Sequence, residues 1–358
     1  MSLASILRAS ATLLLALGAA LLCVRLRTPL PWMIGPLLAT TLASIAGAPT
    51  RSWSPLRNFA QAVIGTSLGL YFTPGVAALV GSLWWAMLLA IAWSLAVGSG
   101  FGAWLLRMQG HRMGVGPREQ RATCFFAGAV GGASEMTLLA ERENGRSDLV
   151  AAAHSVRIMI VSLLIPFAVT AIGVHGADAT LAGPRTVQPL GLLALAAASA
   201  AGCWLMLKAG RGNPWFLGAL VPAMGLTLLG LELSAMPTWL SNAAQLVIGV
   251  SLGVRFQREF LRAAPVWLGA VAFGTVVMVL ACAGFAVGLG WMTGIHFGTL
   301  ILGTAPGGIA EMAITAKVLQ LGVPVVTTFQ VVRLVAVLLL LEPLYRWWAR
   351  AADGPPAG

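Results

Sequence analysis

"GGASEM" at residues 131–136 and "GGIAEM" at residues 307–312 decide how this chain is read. Both stand deep in apolar sequence, and each sets a glutamate three residues behind a Gly-Gly pair, although the chain has only eight glutamates. Two adjacent glycines favour a break in a helix, because they tolerate backbone angles other residues avoid and leave room for close approach. A break frees N–H groups at the start of the next half-helix. With Gly132 as N-cap, Glu135 becomes the third helical residue, from which a carboxylate reaches back to a free donor. Gly308 and Glu311 repeat the arrangement, and Pro306 removes a donor of its own.

The solvent around these motifs follows from composition. Hydrophobic residues make up 58% of the chain and charged residues 9%, with a mean hydropathy of +0.88, whereas a soluble domain carries about 25% charged residues. Apolar runs such as 76–106 and 263–291 exceed the ~18 residues that mark a bilayer-crossing helix. The expected fold class is an all-α polytopic membrane protein, with the lipid bilayer as its main partner. The net charge of +11 does not indicate nucleic acid. Basic residues come singly or in short clusters between apolar segments, as in "RMQGHRMGVGPREQR" (107–121), the pattern of cytoplasmic loops against anionic headgroups. The cysteines at 23, 124, 203 and 282 form no CxxC pair and read as small core residues, so no metal, cofactor or disulfide is expected. The first segment, "ATLLLALGAALLC" (11–23), has the character of a signal-peptide core. "LLALAAASAAGCW" (192–204) holds the same place further along, so the first is expected to be a mature helix.

That correspondence belongs to a duplication. "NFAQAVIGTSLGL" (58–70) aligns with "NAAQLVIGVSLGV" (242–254), "LPWMIGPLL" (30–38) with "NPWFLGALV" (213–221), and "AVGGASEM" (129–136) with "APGGIAEM" (305–312). His154 and Arg157 then fall opposite Gln330 and Arg333. The expected organisation is an N-terminal transmembrane repeat over 1–175, a C-terminal repeat over 186–350 and a disordered tail over 351–358. The polar stretch "GVHGADATLAGPRTVQ" (173–188) separates the halves.

Each half holds about six apolar elements. If all six crossed the membrane, the loop cations would divide evenly between its two sides, against the positive-inside rule. If the Gly-Gly-Glu element of each half is re-entrant or broken, one side collects sixteen cations. The other keeps Arg25, Arg27, Arg185 and Lys317, while Arg157 and Arg333 lie inside the membrane. This predicts two inverted repeats of about five spanning helices, each with one interrupted element, and both termini cytoplasmic. Inverted repeats with paired interrupted helices are an architecture of secondary transporters, with the site where the breaks meet.

The candidate ion- or substrate-binding residues are therefore Gly131, Gly132, Glu135, Gly307, Gly308 and Glu311, with His154, Arg157, Gln330 and Arg333. The bland reading of each glutamate is a helix cap. The functional one is a carboxyl group that exchanges protons or cations, because intramembrane carboxyls are costly and mark ion pathways. The arginines are read either as partners of the glutamates in ion pairs or as bidentate anchors for an anionic substrate. In "NxxQxVIGxSLG", Asn58, Gln61 and Gly65 share a helical stripe, as do Asn242, Gln245 and Gly249. The Gly65–Gly69 and Gly249–Gly253 spacings read first as helix packing with amides as interhelical donors, and second as a cavity lining. Such stripes also offer a surface for a homodimer.

The duplicated "GGxxEM" with a following arginine and the duplicated "NxxQxVIGxSL" resemble the membrane AbrB family of bacterial inner-membrane proteins, over nearly the whole chain. Members carry labels of regulation of gene expression and of ammonia monooxygenase. The resemblance also implies kinship with cation/proton antiporters and anion transporters built from inverted five-helix repeats. Three functions then compete. The first is a secondary transporter of a small solute, an anion being one option, coupled to H⁺ or Na⁺ by alternating access, not an enzyme. The second is a membrane protein acting indirectly on gene expression. The third, a monooxygenase, needs a copper or iron site of several histidines or carboxylates, and here only His154 of the four histidines falls within the membrane.

Overall fold

The computed structural model describes residues 3–173, 186–210, 213–258 and 264–353. His175, Arg185, Arg211, Arg262, most of the linker between the halves and the tail beyond Asp353 lie outside the described residues; residues 351–353, expected in the tail, belong to the last helix. Among the described residues there are fifteen α-helices and no strand. The first half runs α1 (Leu3–Arg25), α2 (Pro31–Ile45), α3 (Ser54–Gly69), α4 (Pro74–Ser82), α5 (Trp84–Gln109), α6 (Pro117–Gly128), α7 (Ala133–Arg142) and α8 (Ser147–Ala171). The second half runs α9 (Pro189–Lys208), α10 (Pro214–Leu228), α11 (Thr238–Gly253), α12 (Pro265–Thr293), α13 (Phe297–Thr304), α14 (Ile309–Val318) and α15 (Val323–Asp353).

Six of these helices, α1, α5, α8, α9, α12 and α15, are long and apolar enough to cross a membrane. The chain is an all-α polytopic membrane protein. The elements come in the order the duplication demands, but their lengths differ from five full spans per half. Helices α2, α3, α10 and α11 have 15 or 16 residues. At 1.5 Å per residue that is about 23 Å, short of the ~30 Å hydrocarbon core. The apolar run 76–106 is also divided, since α4 ends at Ser82 and α5 begins at Trp84. The α3–α4 pair bends by 88°.

The duplication reaches the backbone. Leu30 (φ 47°) and Asn213 (φ 51°) are left-handed caps ahead of a proline at the start of α2 and of α10. Asn144 (φ 57°) and Gln320 (φ 53°) close the turns after α7 and α14. The next amide donates back in both, Gly145 to the Ala140 carbonyl at 2.6 Å and Leu321 to that of Ala316 at 2.8 Å. Equivalent sequence has produced equivalent caps.

The chain divides into two compact units, and each draws on both halves. The first comprises Met1–Ser82, Ser162–Arg262 and Ala310–Thr327. Its core is an exchange between repeats: α3 packs on α10, and α11 packs on α2. The glycines make this approach close. A Cβ on Gly65 would stand 2.3 Å from the Phe216 carbonyl oxygen, and one on Gly249 2.5 Å from that of Met33. Thr66 and Ser199 share a hydroxyl–hydroxyl bond of 2.7 Å that ties α3 to α9. The second unit comprises Leu83–Val161, Ala263–Ile309 and Thr328–Gly358. In it Gly98 and Gly102 of α5 receive Gly128 of α6, where a Cβ would lie 2.4 Å from the Gly102 nitrogen. Trp93 of α5 stacks on Phe285 of α12 at 4.9 Å. Phe125 and Phe126 of α6 pack around Tyr345 of α15. Helices α6 and α13, which lead into the breaks, pack within this unit on α5 and α12.

Candidate functional site

Both interrupted elements break, and the breaks start two residues ahead of the glycine pairs. Helix α6 ends at Gly128 and the chain becomes extended at Ala129 (φ −57°, ψ 138°). Helix α13 ends at Thr304 and does the same at Ala305 (φ −56°, ψ 142°). Gly132 is the N-cap of α7 (φ −66°, ψ 138°), which places Glu135 third in that helix, as the spacing predicts. Glu311 is third in α14. None of Gly131, Gly132, Gly307 and Gly308 takes a positive φ, so the first pair serves by its small size. A Cβ on Gly132 would stand 2.1 Å from Oε2 of Glu135, whose carboxylate turns back over the start of α7. One on Gly131 would meet the Met136 side chain at 2.8 Å.

An extended break leaves the last carbonyls of α6 and α13 without helical donors, which costs several kcal/mol each in a membrane. Two side-chain clamps answer this. On α8, the His154 ring sets Nε2 3.0 Å from the Phe126 carbonyl. Arg157 donates from Nη1 to the Gly128 carbonyl at 3.3 Å and from Nη2 to that of Ala129 at 2.8 Å. Nη2 also donates to Nδ1 of His154, so Nδ1 is the acceptor and Nε2–H the donor to Phe126. On α15, Gln330 Nε2 donates to the Leu302 carbonyl at 2.7 Å and its Oε1 accepts from Arg333. Arg333 in turn donates to the carbonyls of Thr304 at 3.3 Å, Ala305 at 2.6 Å and Gly307 at 3.2 Å. Each guanidinium thus caps a helix C-terminus, where the helix dipole favours a cation.

The pairing of His154 with Gln330 is now intelligible. Each offers N–H to the carbonyls at the helix end, His154 to one and Gln330 to those of Leu302 and Ala305, and one acceptor to the neighbouring arginine, which both imidazole and carboxamide can do. Arg157 and Arg333 are 2% and 6% exposed and near enough for their charges to interact. The second unit therefore brings His154, Arg157, Gln330 and Arg333 together with both breaks.

The two glutamates are less alike than their motifs. Glu135 is half-buried, whereas Glu311 is only 8% exposed. Glu311 belongs to the first unit, where its charge interacts with that of Arg255, just beyond α11; Arg255 also interacts with Arg57. Asn58, with its amide turned to satisfy both neighbours, accepts from the Trp215 indole at 2.9 Å and donates to the Ser54 carbonyl at 3.2 Å. It pins α3 to the start of α10, in line with the packing reading. Gln245 is buried, while Gln61 and Asn242 are half-buried. Two features escaped the sequence reading. Gly98 and Gly102 carry the same GxxxG spacing as the stripes that were recognised. Lys317, expected among loop cations, lies within α14 and donates to Ser67 at 2.7 Å.

A family profile described as "Transition state regulatory protein AbrB" matches residues 32–349. The chain belongs to the AbrB family. It is 28% identical to "Uncharacterized protein YhjN" of Bacillus subtilis (strain 168), an alignment covering 88% of this chain and 86% of the relative. It is 26% identical to a protein of Escherichia coli (strain K12) whose name describes it as a regulator AbrB, over 92% of this chain and 91% of that one. Both relatives match along nearly their whole length.

Proposed function

We propose that this AbrB-family protein is a secondary transporter of a small ionic solute in the bacterial inner membrane, working by alternating access, with Glu135 and Glu311 as coupling carboxyls. The carrying observation is the twofold occurrence of a broken helix whose ends are stabilised from outside the helix. Arg157 with His154, and Arg333 with Gln330, hold one side of each break; a glutamate opens the half-helix on the other. Capping alone accounts for a carboxylate at a helix start, but a hydroxyl or amide caps as well at lower desolvation cost. Because the arginines hold carbonyls, the mobile charge falls to the glutamates. The excess of loop cations on one side supports cytoplasmic termini in this reading.

The test is proton flux into proteoliposomes loaded with a pH-sensitive dye, under imposed gradients of Na⁺, K⁺ and small mono- and dicarboxylates. At least one gradient is expected to move protons. Glu311→Gln is expected to lower that rate at least about tenfold, and Glu135→Gln to lower it less, because the more buried carboxyl is the more strongly desolvated. Fluxes equal to those of protein-free vesicles for every gradient would overturn the reading.

A second reading rests on the names of the family and of the Escherichia coli relative: an indirect effect on transcription. A transcriptional phenotype that survives in the Glu135→Gln/Glu311→Gln double variant would favour it over transport.

A further inference from the structure

Lys317 is one of two lysines in a chain whose other twenty basic side chains are arginines. The other, Lys208, is exposed and lies over the Trp204 ring at 4.0 Å. Lys317 instead stands within α14, half-buried. Its Nζ donates to the Ser67 hydroxyl at 2.7 Å and lies 5.9 Å from the centre of the Tyr71 ring. Both partners come from α3 and the turn that follows it. Among the described residues, Ser67 and Tyr71 are the side chains in contact with its ammonium. On its own helix Glu311 stands nearly two turns earlier, and Arg255 and Arg57 are tied electrostatically to each other and, through Arg255, to Glu311.

We propose that Lys317, held by Ser67 beside Tyr71, is a proton-exchange site, an amine that takes up and releases H⁺ in addition to the two glutamates. Three points of chemistry carry this. Where this chain fixes a buried permanent charge, at Arg157 and Arg333, it uses arginine, which does not release its proton. An ammonium paired with a carboxylate would be locked in the charged form, but Lys317 is paired with a hydroxyl. The hydroxyl also works in both directions: Oγ accepts from the ammonium, and after deprotonation Oγ–H donates to the amine lone pair. The Lys317–Ser67 bond therefore survives proton loss. The aromatic ring, at the edge of cation–π range, assists the charged form. The proton leaves as H⁺ to water or to the next acceptor, and no other bond changes.

The scarcity of lysine makes the site measurable. In full-length Lys208→Arg protein in detergent, reductive methylation with ¹³C-formaldehyde labels Lys317 as the sole lysine, and a dimethylammonium retains one N–H for Ser67. The ¹³C resonance of Lys317 is expected to report proton loss in the neutral range, at clearly lower pH than the same signal in the unfolded chain. Ser67→Asp, which supplies a carboxylate, is expected to abolish that neutral transition, whereas Ser67→Ala should keep one. Glu311→Gln should leave it in place, so that a failure of glutamate coupling and a failure of this site are told apart. A folded-state resonance that titrates together with the unfolded reference overturns the proposal. So does a neutral transition unaffected by Ser67→Asp.

Discussion

Arg157 and Arg333 carry the clearest lesson at the scale of single residues. Both lie in apolar sequence opposite one another in the duplication, which left an ion pair with a glutamate and an anion anchor as open readings. In the structure their hydrogen bonds go to backbone carbonyls at the ends of α6 and α13 and to His154 and Gln330, rather than to a glutamate. Each carbonyl deprived of such a donor costs about 1–3 kcal/mol. Arg157→Gln, with two or three carbonyls affected, is expected to lower the thermal midpoint in detergent by roughly 5–10 °C. Arg157→Lys should recover less than half of that, since one ammonium does not reproduce the fork. An unchanged midpoint with loss of proton flux would instead make the arginine a substrate ligand. Sequence alone identified the residue and its burial, but the acceptors come from a chain segment about 28 residues away.

Among elements, the glycine stripes decide what can pack. Gly65 of α3 and Gly249 of α11 belong to GxxxG spacings, and packing was the reading their spacing favoured. The structure supplies the partners, α10 for one and α2 for the other, each from the opposite repeat. Gly65→Val would drive a side chain into the Phe216 carbonyl, a backbone atom that moves only with its helix. A loss of at least about 1–3 kcal/mol is expected, read as reduced folded yield and a lower midpoint. Gly100 of α5 has open space where its Cβ would go. Gly100→Ala is expected to leave stability unchanged or raise it by about 0.5–1 kcal/mol. Equal effects of the two substitutions would argue against close packing as the task of the stripe. Gly98 and Gly102 have the same spacing but no duplicated motif to single them out, and their partner, Gly128 of α6, is visible only in the structure.

For the whole molecule, the question is orientation. The compact units cut across the two sequence halves, so the repeats are related by chain history and the units by packing. The excess of cations on one side predicts inverted halves, and the structure indicates where to test it. Gly114 (φ 64°) and Gly294 (φ 71°) are left-handed in both repeats and unsuited to a side chain. Gly116 and His296 are the exposed N-caps of α6 and α13, with ordinary backbone angles. In protein cleared of native cysteines, His296→Cys is expected to react with a membrane-impermeant thiol reagent in intact cells, and Gly116→Cys only after lysis. The same reactivity at both positions would make the halves parallel and remove the basis for crossed breaks.

The sequence by itself determined the solvent, the duplication and the two breaks, because hydropathy, repeated spacing and Gly-Gly-x-x-Glu are local properties. Each acts within a few residues, and Glu135 fell at the third helical position as its spacing required. Only the tertiary structure decided which groups satisfy the breaks and how the charges divide. The Arg157 and Arg333 clamps, the unequal burial of Glu135 and Glu311, and the bond of Lys317 to Ser67 across 250 residues each depend on which helices meet. A buried polar group takes its role from its partner, and these partners are distant in the chain.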